Sequence, residues 1–241
     1  MSQLQLPHLG PTASAPFPPT NQALPRPNGL LAWGGGLEPE RLLRAYRRGI
    51  FPWYSDGEPI LWWTPNPRCV VYPNELHVSR RTRRRHHAGN HRITADRAFA
   101  AVIDGCAEPR EPQGGTWITD ELKHAFVALH DMGIAHSVEV WRDEALVGGI
   151  YGLAIGRVFF GESMFSRVTD ASKLALTALC HQLEDWSFAL LDCQVTNPHL
   201  LSLGAVEVPR HEFEAQLAAA VDAPGSPPGA WTGRFTPRVR W

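Results

Sequence analysis

From about Cys69 onward, the spacing of apolar residues predicts a regular succession of helices and strands. Apolar positions recur every three to four residues in ADRAFAAVIDGCA and TDELKHAFVALHDMG, as is typical of amphipathic helices. Thr119 suits the N-cap of the second helix, and Gly133 suits its end. Three strands joined by short turns follow and predict an antiparallel meander. These strands are HSVEVW, ALVGGIYGLA and RVFFGESMF.

After the meander, helix and strand alternate. DASKLALTALCHQLEDW predicts a long helix and FALLDCQ predicts a strand. A short helix then ends at Gly204, a strand covers AVEVP, and a last helix begins near Arg210. This succession predicts an α+β (mixed α/β) fold around a central, mostly antiparallel sheet of the acyltransferase type.

The N-terminal part of the chain shows no sustained period. Residues 1–27 are rich in Pro, Ala and Thr and carry almost no charge, so we expect them to be loosely ordered. A helix is predicted in LEPERLLRAYRRG, and an aromatic and Pro-rich stretch follows it. We therefore expect an N-terminal domain over residues 1–68 and a catalytic domain over residues 69–241.

Composition narrows the class of protein. The chain has 241 residues, 44% of them hydrophobic, which is enough for a substantial core. Its formal net charge of -1 gives no general attraction to nucleic acid or membrane. The four cysteines form no CxxC pair, and no apolar run is long enough to span a bilayer. We expect a cytoplasmic protein with no metal, no cofactor and no membrane partner.

One segment of the nearly neutral chain is strongly basic. No acidic residue lies between Glu75 and Asp96, whereas six arginines do. The run is either a solvated surface face or a site for the phosphates of a nucleic-acid backbone. It contains no array of aromatic residues, so it would position a backbone and not read bases. The candidate contacts are Arg80, Arg81, Arg83, Arg84 and Arg85.

Two short motifs carry candidate chemistry. In FFGESMF, strict alternation places Phe160, Glu162 and Met164 on one face, so Glu162 is either an exposed strand end or an acid at the edge of an apolar pocket. In LDCQVTN, alternation directs Asp192 and Gln194 to one side and the intervening cysteine to the other. The acid and the amide either tie down the next loop or face a substrate.

Aromatic residues gather in two places, at Trp53-Tyr54 with Trp62-Trp63 and at Trp117, and could stack on a nucleobase. Most tryptophans belong to cores or interfaces, so stacking on a base is the less common role for any one of them. Trp117 is the strongest candidate because it follows a Gly-Gly turn at the start of a predicted helix.

Ten motifs, taken in order, resemble the bacterial leucyl/phenylalanyl-tRNA protein transferases from about Asn28 to Arg210. They are PNGLLAWGGGL, AYRRGIFPWYS, ILWWTPNPR, GGTWIT, AHSVEVW, LVGGIYGLAIG, FFGESMFS, DASK, LDCQVTN and SLGAVEVPR. The resemblance implies a small N-terminal domain and a GCN5-like acetyltransferase fold. It also implies transfer of Leu or Phe, and less readily Met, from aminoacyl-tRNA to proteins with N-terminal Arg or Lys, which marks them for degradation by the N-degron pathway.

The same resemblance implies roles for individual residues. Asp192 and Gln194 would be catalytic, and Glu162 would lie in the substrate site. Trp117 and Phe126 would flank the terminal adenosine, with Trp53 nearby. The aminoacyl side-chain pocket would be lined by Ile150, Met164 and Leu176. Two positions depart from the family pattern: Phe126 stands where a Tyr is expected, and Ile150 where a Met is expected.

The reaction does not require a strong base. An α-amine of pKa ~7.7–8.0 is already roughly 10–15% free base at pH 7, and its target is an activated ester. Gln194 is therefore better suited to accept a hydrogen bond from the amine, with Asp192 holding the amide and supporting the developing positive charge. A proton relay through Gln194 to Asp192 is the second possibility.

Two other functions fit parts of the pattern. An acetyl-CoA-dependent N-acetyltransferase would share the fold, but its pyrophosphate loop, Q/R-x-x-G-x-G/A, is absent from the sequence. A non-catalytic tRNA-binding module would use the arginine run and would bind without turnover.

Overall fold

The computed structural model of the protein describes residues 6–88, 90–109, 116–227 and 229–237, and gives only the backbone of residues 85–88. Two sheets organise this part of the chain. Within it, no helix is both long and apolar enough to cross a membrane.

The N-terminal sheet has four strands in the order β1-β2-β4-β3. A short helix packs beside it, starting with a proline whose fixed φ suits the first helical turn. The elements are β1 His8–Leu9, β2 Leu30–Gly34, α1 Pro39–Tyr46, β3 Phe51–Pro52 and β4 Leu61–Trp63.

The second sheet has seven strands, which are β5 Arg68–Val71, β6 Arg92–Ala95, β7 Ala135–Arg142, β8 Ala145–Ile155, β9 Val158–Ser166, β10 Leu190–Gln194 and β11 Val206–Val208. Their order is β11-β5-β10-β9-β8-β7-β6. The accompanying helices are α2 Arg80–Ala88, α3 Phe99–Ala107, α4 Asp120–Asp131, α5 Ala171–Asp185, α6 Pro198–Leu201 and α7 Arg210–Ala220.

The predicted antiparallel meander is confirmed in β7, β8 and β9. Positive φ values at Asp143 and Glu144 give the tight β7–β8 turn a backbone twist that matches the strands. Period-two alternation divides the core into layers. Tyr151 and Leu153 pack with the α3 and α4 side, whereas Ile150 packs with the α5 side.

The helix α5 crosses over between β9 and β10, and these two strands run parallel, as a crossover requires. Their pairing ends where Asp192 lies opposite Phe160. The strand β9 continues beyond this point to Ser166. The sheet therefore opens on one side of β9, and this opening contains the candidate site described below.

The described residues near both chain ends pack against the rest of the fold. The expectation of a loosely ordered segment over residues 1–27 is wrong for the described residues 6–27. Leu9 and Phe17 are buried, and the Arg41 guanidinium donates to the carbonyls of Gly10 and Thr12 at 3.0 and 2.8 Å. Near the other end, Trp231 is fully buried. Aromatic anchors and guanidinium contacts to backbone carbonyls fix segments whose composition resembles a linker.

Candidate active site

A cavity of about 470 Å³ lies in the opening between β9 and the end of β10. Ile150 and Met164 are partners in the β8–β9 register, and Leu176 reaches the same cavity from α5. Leu191 completes this apolar part of the wall. The structure thus brings together the three residues expected to line an apolar pocket, although they come from three different elements.

A second, smaller cavity of about 270 Å³ adjoins the first. Phe51, Trp53 and Trp117 form its aromatic wall, and the Trp53 side chain is 42% exposed. Trp63 steadies Trp53 by donating from Nε1 to its carbonyl oxygen at 2.7 Å. Both tryptophans predicted to lie near a base therefore share one surface.

The two cavities have a common wall. Glu162 and Gln194 line both of them, so a group bound in either cavity meets the same carboxylate and amide. The other shared residues are Cys193, Val195 and Asn197. The two cavities therefore meet at this common wall.

Phe126 does not belong to this site. Its ring is fully buried and packs edge-to-face on Tyr151, with 5.4 Å between the ring centroids. It lines neither cavity. The expected stacking of Phe126 on an adenosine is therefore wrong: its position on α4 faces the core beneath the sheet.

Asp192 lies under the common wall and not in it. Arg68 holds its carboxylate with two hydrogen bonds, from Nε to Oδ1 at 2.7 Å and from Nη2 to Oδ2 at 2.6 Å. Oδ1 also accepts from the backbone N–H of Gln194 at 3.0 Å. The side chains of Arg68 and Asp192 are both fully buried. Asp192 lines neither cavity, and its contacts to the site run through Arg68 and the backbone of Gln194.

Arg68 also joins the two sheets. Its Nη1 donates to the carbonyl of Gly49 at 2.8 Å. Its guanidinium lies over the rings of Phe51 and Phe213, 5.0 and 4.6 Å from their centroids. Sequence reasoning missed this residue. The signal was an arginine at the start of a strand that is otherwise apolar.

Gln194 adopts a left-handed backbone conformation, with φ of 56°. In the β5–β10 register, Asp192 pairs with Val70 and Gln194 pairs with Cys69, so one residue is bulged out. That residue is Cys193, which lines both cavities, contrary to the alternation expected from sequence. A bulge re-aims the side chains that follow it, and here it turns Gln194 toward the opening.

The cysteine is not a reactive nucleophile. A hydrogen bond with Cys69 and burial both raise the pKa of the Cys193 thiol well above its ordinary value. The thiol therefore stays protonated at neutral pH, and the thiolate is the nucleophilic form.

Glu162 occupies a second bulge, in the β8–β9 register. Tyr151 pairs with Ser163 and Gly152 pairs with Gly161, which leaves Glu162 unpaired. The expected common face of Phe160, Glu162 and Met164 is wrong for this reason. Phe160 packs in the core on the α3 and α4 side, whereas Met164 packs toward α5.

The carboxyl of Glu162 is held by a tyrosine that sequence reasoning also missed. The Tyr46 hydroxyl donates to Glu162 Oε1 at 2.7 Å. Burial raises the pKa of Glu162 to about 8, and the negative charge of Asp192 adds to this. The Tyr46 hydrogen bond and the Arg68 charge act in the opposite direction. Glu162 is therefore largely protonated at pH 7 in the free protein.

The arginine run forms the helix α2. Arg80, Arg81 and Arg84 are exposed, Arg83 donates from Nε to the carbonyl of Val78 at 3.0 Å, and the Arg85 side chain lies outside the described residues. Just before α2, the His77 N–H donates to the Leu203 carbonyl at 2.9 Å, and Leu203 follows α6. Because α6 contributes to the wall of the larger cavity, the basic helix lies in a segment that packs beside the site.

Comparisons with known proteins point to one family. Residues 70–218 match the family described as leucyl/phenylalanyl-tRNA protein transferase, and residues 35–66 match its N-terminal domain. The leucyl/phenylalanyl-tRNA protein transferase of Stutzerimonas stutzeri (strain A1501) is 58% identical over 210 residues, covering 87% of this chain and 93% of that protein. The one from Cellvibrio japonicus (strain Ueda107) is 51% identical over 236 residues, covering 98% and 100%.

Among solved structures, a GCN5-related N-acetyltransferase from Kribbella flavida aligns with a TM-score of 0.35 and 16% identity, covering 66% of this chain and 56% of that one. At that score the similarity carries no weight, and the fold assignment rests on the sheet order itself.

An apolar cavity meets an aromatic one at a carboxylate and an amide in the opening of a mixed sheet, an arrangement that suits an enzyme with two substrates. Its particular kind follows from the family matches. The chain belongs to the leucyl/phenylalanyl-tRNA protein transferase family and is an aminoacyltransferase.

Proposed function

We propose that the protein moves Leu or Phe, and less readily Met, from the 3′ end of aminoacyl-tRNA to the α-amine of proteins with N-terminal Arg or Lys. The product would be marked for degradation by the N-degron pathway, and the reaction would take place in the cytoplasm with aminoacyl-tRNA. The observation that supports this most strongly is the common wall, where Glu162 and Gln194 face both cavities.

The larger cavity suits the aminoacyl side chain. Its wall of Ile150, Met164, Leu176 and Leu191 is apolar and fits Leu or Phe. A single methylene is worth only ~1–3 kcal/mol in such a pocket, so Met should be accepted as a weaker substrate.

The smaller cavity suits the terminal adenosine of the tRNA. Trp53 and Trp117 offer ring faces for the base, and base–aromatic stacking contributes ~1–3 kcal/mol per base. The exposed arginines of α2 would contact phosphates farther along the acceptor arm.

An acceptor with N-terminal Arg or Lys requires negative charge near the same cavity. Asp192 does not supply it, because Arg68 neutralises that carboxylate. Glu162 faces the cavity, and Glu121 accepts a hydrogen bond from Tyr54, the residue after Trp53, at 3.3 Å. The Glu121 carboxylate would favour a cationic acceptor, and a cation bound beside Glu162 would in turn favour the ionised form of Glu162.

The reaction is aminolysis of an ester, in which positioning contributes more than base strength. Gln194 would orient the reacting groups, because its side chain is 9% exposed and its Nε2 has no hydrogen-bond partner among the described residues. The relay from amine through Gln194 to Asp192 loses support, since Arg68 and the Gln194 N–H already engage both carboxylate oxygens.

Label transfer tests the proposal. [¹⁴C]Leu-tRNA and a peptide with N-terminal Arg should give labelled peptide without ATP or added metal, and the same peptide with an acetylated N-terminus should give none. Gln194→Ala should reduce transfer more than tenfold at unchanged tRNA affinity, whereas Gln22→Ala, at an exposed N-terminal position, should not. Binding of tRNA without any turnover, or saturable binding of acetyl-CoA by calorimetry, would contradict the proposal.

A further inference from the structure

We propose that Glu162 is the catalytic group that takes the proton from the attacking α-amine and delivers it to the departing 3′ oxygen of the tRNA. This inference rests on the proposed function and assigns a chemical role to a residue expected only to bind substrate.

The other candidates in the common wall do not fit this role. Asp192 is fully buried, and Arg68 engages both of its oxygens. A carboxamide such as that of Gln194 is a very poor base, and the Cys193 thiol is held protonated. Among the described residues shared by both cavities, Glu162 is the one carboxylate.

The geometry leaves one oxygen of Glu162 ready for a substrate. Oε1 accepts the Tyr46 hydroxyl at 2.7 Å, and no hydrogen bond from another described residue reaches Oε2. The bulge in β9 presents the side chain to the opening and not to the sheet interior. Tyr46 thereby acts as a positioning residue, because its buried hydroxyl holds Oε1 while Tyr46 itself lines neither cavity.

The surroundings of Glu162 bring its pKa close to that of the amine with which it would exchange a proton. Tyr46 of α1, Tyr151 of β8, Asp192 of β10 and Arg68 of β5 are the titratable or charged groups that interact with it. Their combined effect with burial raises the pKa of Glu162 to about 8. An α-amine has a pKa of ~7.7–8.0, so proton exchange between the two groups is nearly balanced in free energy.

The step balances without a further reactant. The nitrogen lone pair forms the C–N bond at the ester carbonyl, and the proton lost by nitrogen goes to Glu162. The ester C–O bond then breaks, and the same proton goes to the 3′ oxygen. The products are the extended peptide and deacylated tRNA, and Glu162 returns to its ionised form.

The pH dependence of single-turnover Leu transfer to an N-terminal Arg peptide tests this role. In the wild type, both the amine and Glu162 must lose a proton, so the logarithm of the rate should rise with a slope approaching two at acidic pH and level off above about pH 8. Glu162→Gln keeps the size and an acceptor for Tyr46. It should lower the rate roughly 10²–10⁴-fold and reduce the slope to one.

Matched variants separate this role from others. Glu207→Gln changes an exposed glutamate on β11 outside both cavities and should leave rate and profile unchanged. His199→Asn removes the imidazole that lines only the larger of the two and should keep the steep profile. Thermal melting and Leu-tRNA affinity of Glu162→Gln, if close to wild type, establish that the fold is intact. Should this variant fail to fold, Glu162→Asp should retain the slope of two at a reduced rate.

Two failures are distinguishable. If the wild type transfers no Leu to any peptide, the proposed function itself is wrong. If the wild type transfers Leu and Glu162→Gln keeps the wild-type rate and slope, or the steep limb disappears in His199→Asn instead, only the role of Glu162 is overturned.

Discussion

At the residue scale, Arg68 determines what Asp192 can do. A carboxylate with both oxygens engaged by a buried guanidinium is a fixed hydrogen-bond acceptor. Its remaining contact is the N–H of Gln194, which it holds in a left-handed conformation. The aspartate therefore fixes the backbone of the residue that carries the amide.

This arrangement predicts different costs for breaking and for replacing the pair. Asp192→Ala leaves a buried guanidinium without its carboxylate and should lower the free energy of unfolding by about 3–5 kcal/mol. Arg68→Met combined with Asp192→Leu should recover most of that loss in urea denaturation, because an apolar pair carries no desolvation cost. Transfer should stay low in both variants, and recovery of activity in the double variant would refute the positioning role.

Glu162 should also affect stability as pH changes. Its folded-state pKa of about 8 lies above the ordinary value of 4.5. Between these pH values the unfolded chain is ionised while the folded protein holds the proton, so stability from this group falls as pH rises from about 4.5 to 8 and levels off above. The free energy of unfolding of Glu162→Gln minus that of the wild type should therefore be larger at pH 7.5 than at pH 4.5. Parallel pH profiles of the denaturation midpoint would contradict the raised pKa.

At the element scale, the sequence predicts the helices and strands, but it does not predict the side-chain directions at the two β-bulges. Hydrophobic periodicity predicts the meander, α4 with its Thr119 cap and the crossover helix, because these follow local patterns. Alternation fails at Glu162 and Cys193, where one extra residue is inserted in each strand. Nothing in a single strand records its partner's register, so these two positions required the folded structure.

The helix α2 is an element whose proposed role is electrostatic. Arg81→Ala with Arg84→Ala removes two exposed charges and should weaken tRNA binding and flatten the dependence of log K on log salt by about 0.7–0.9 per lost phosphate contact. Arg26→Ala with Arg97→Ala removes two exposed charges elsewhere and should leave the slope unchanged. Filter binding over a range of salt concentrations gives both slopes. Equal slopes in the two double variants would make α2 a solvated face.

At the scale of the whole molecule, the site depends on contacts between the N-terminal part of the chain and the larger sheet, which lie far apart in the sequence. The N-terminal part contributes Tyr46 and Trp53 to a site otherwise built on the larger sheet. Gly49 and Phe213 both contact Arg68, which stabilises this junction from two sides. Motif order alone identified the family, but only the packing shows that Phe126 lies in the core and Asp192 beneath the wall.

The described part of the C-terminal segment is held by Trp231. Trp231 is fully buried and stacks on His136 with 4.0 Å between ring centroids, and its backbone N–H donates to Asp96 Oδ2 at 2.6 Å. Trp231→Ala should lower the free energy of unfolding by about 3–5 kcal/mol, with little change in transfer below the melting transition. Trp33→Ala, at a side chain 37% exposed, should cost less than about 1 kcal/mol. Similar melting temperatures for the two variants would show that the segment does not anchor the fold.

The most direct measurement is a crystal structure with a stable donor analogue, the leucyl amide of 3′-amino-3′-deoxyadenosine. The leucyl side chain should lie between Ile150, Met164 and Leu176, and the adenine should lie against Trp117. The amide carbonyl should come within hydrogen-bonding distance, about 3 Å, of the common wall formed by Glu162 and Gln194. An analogue bound outside the two cavities, or with its carbonyl remote from both residues, would contradict the central claim that the peptide bond forms at this wall.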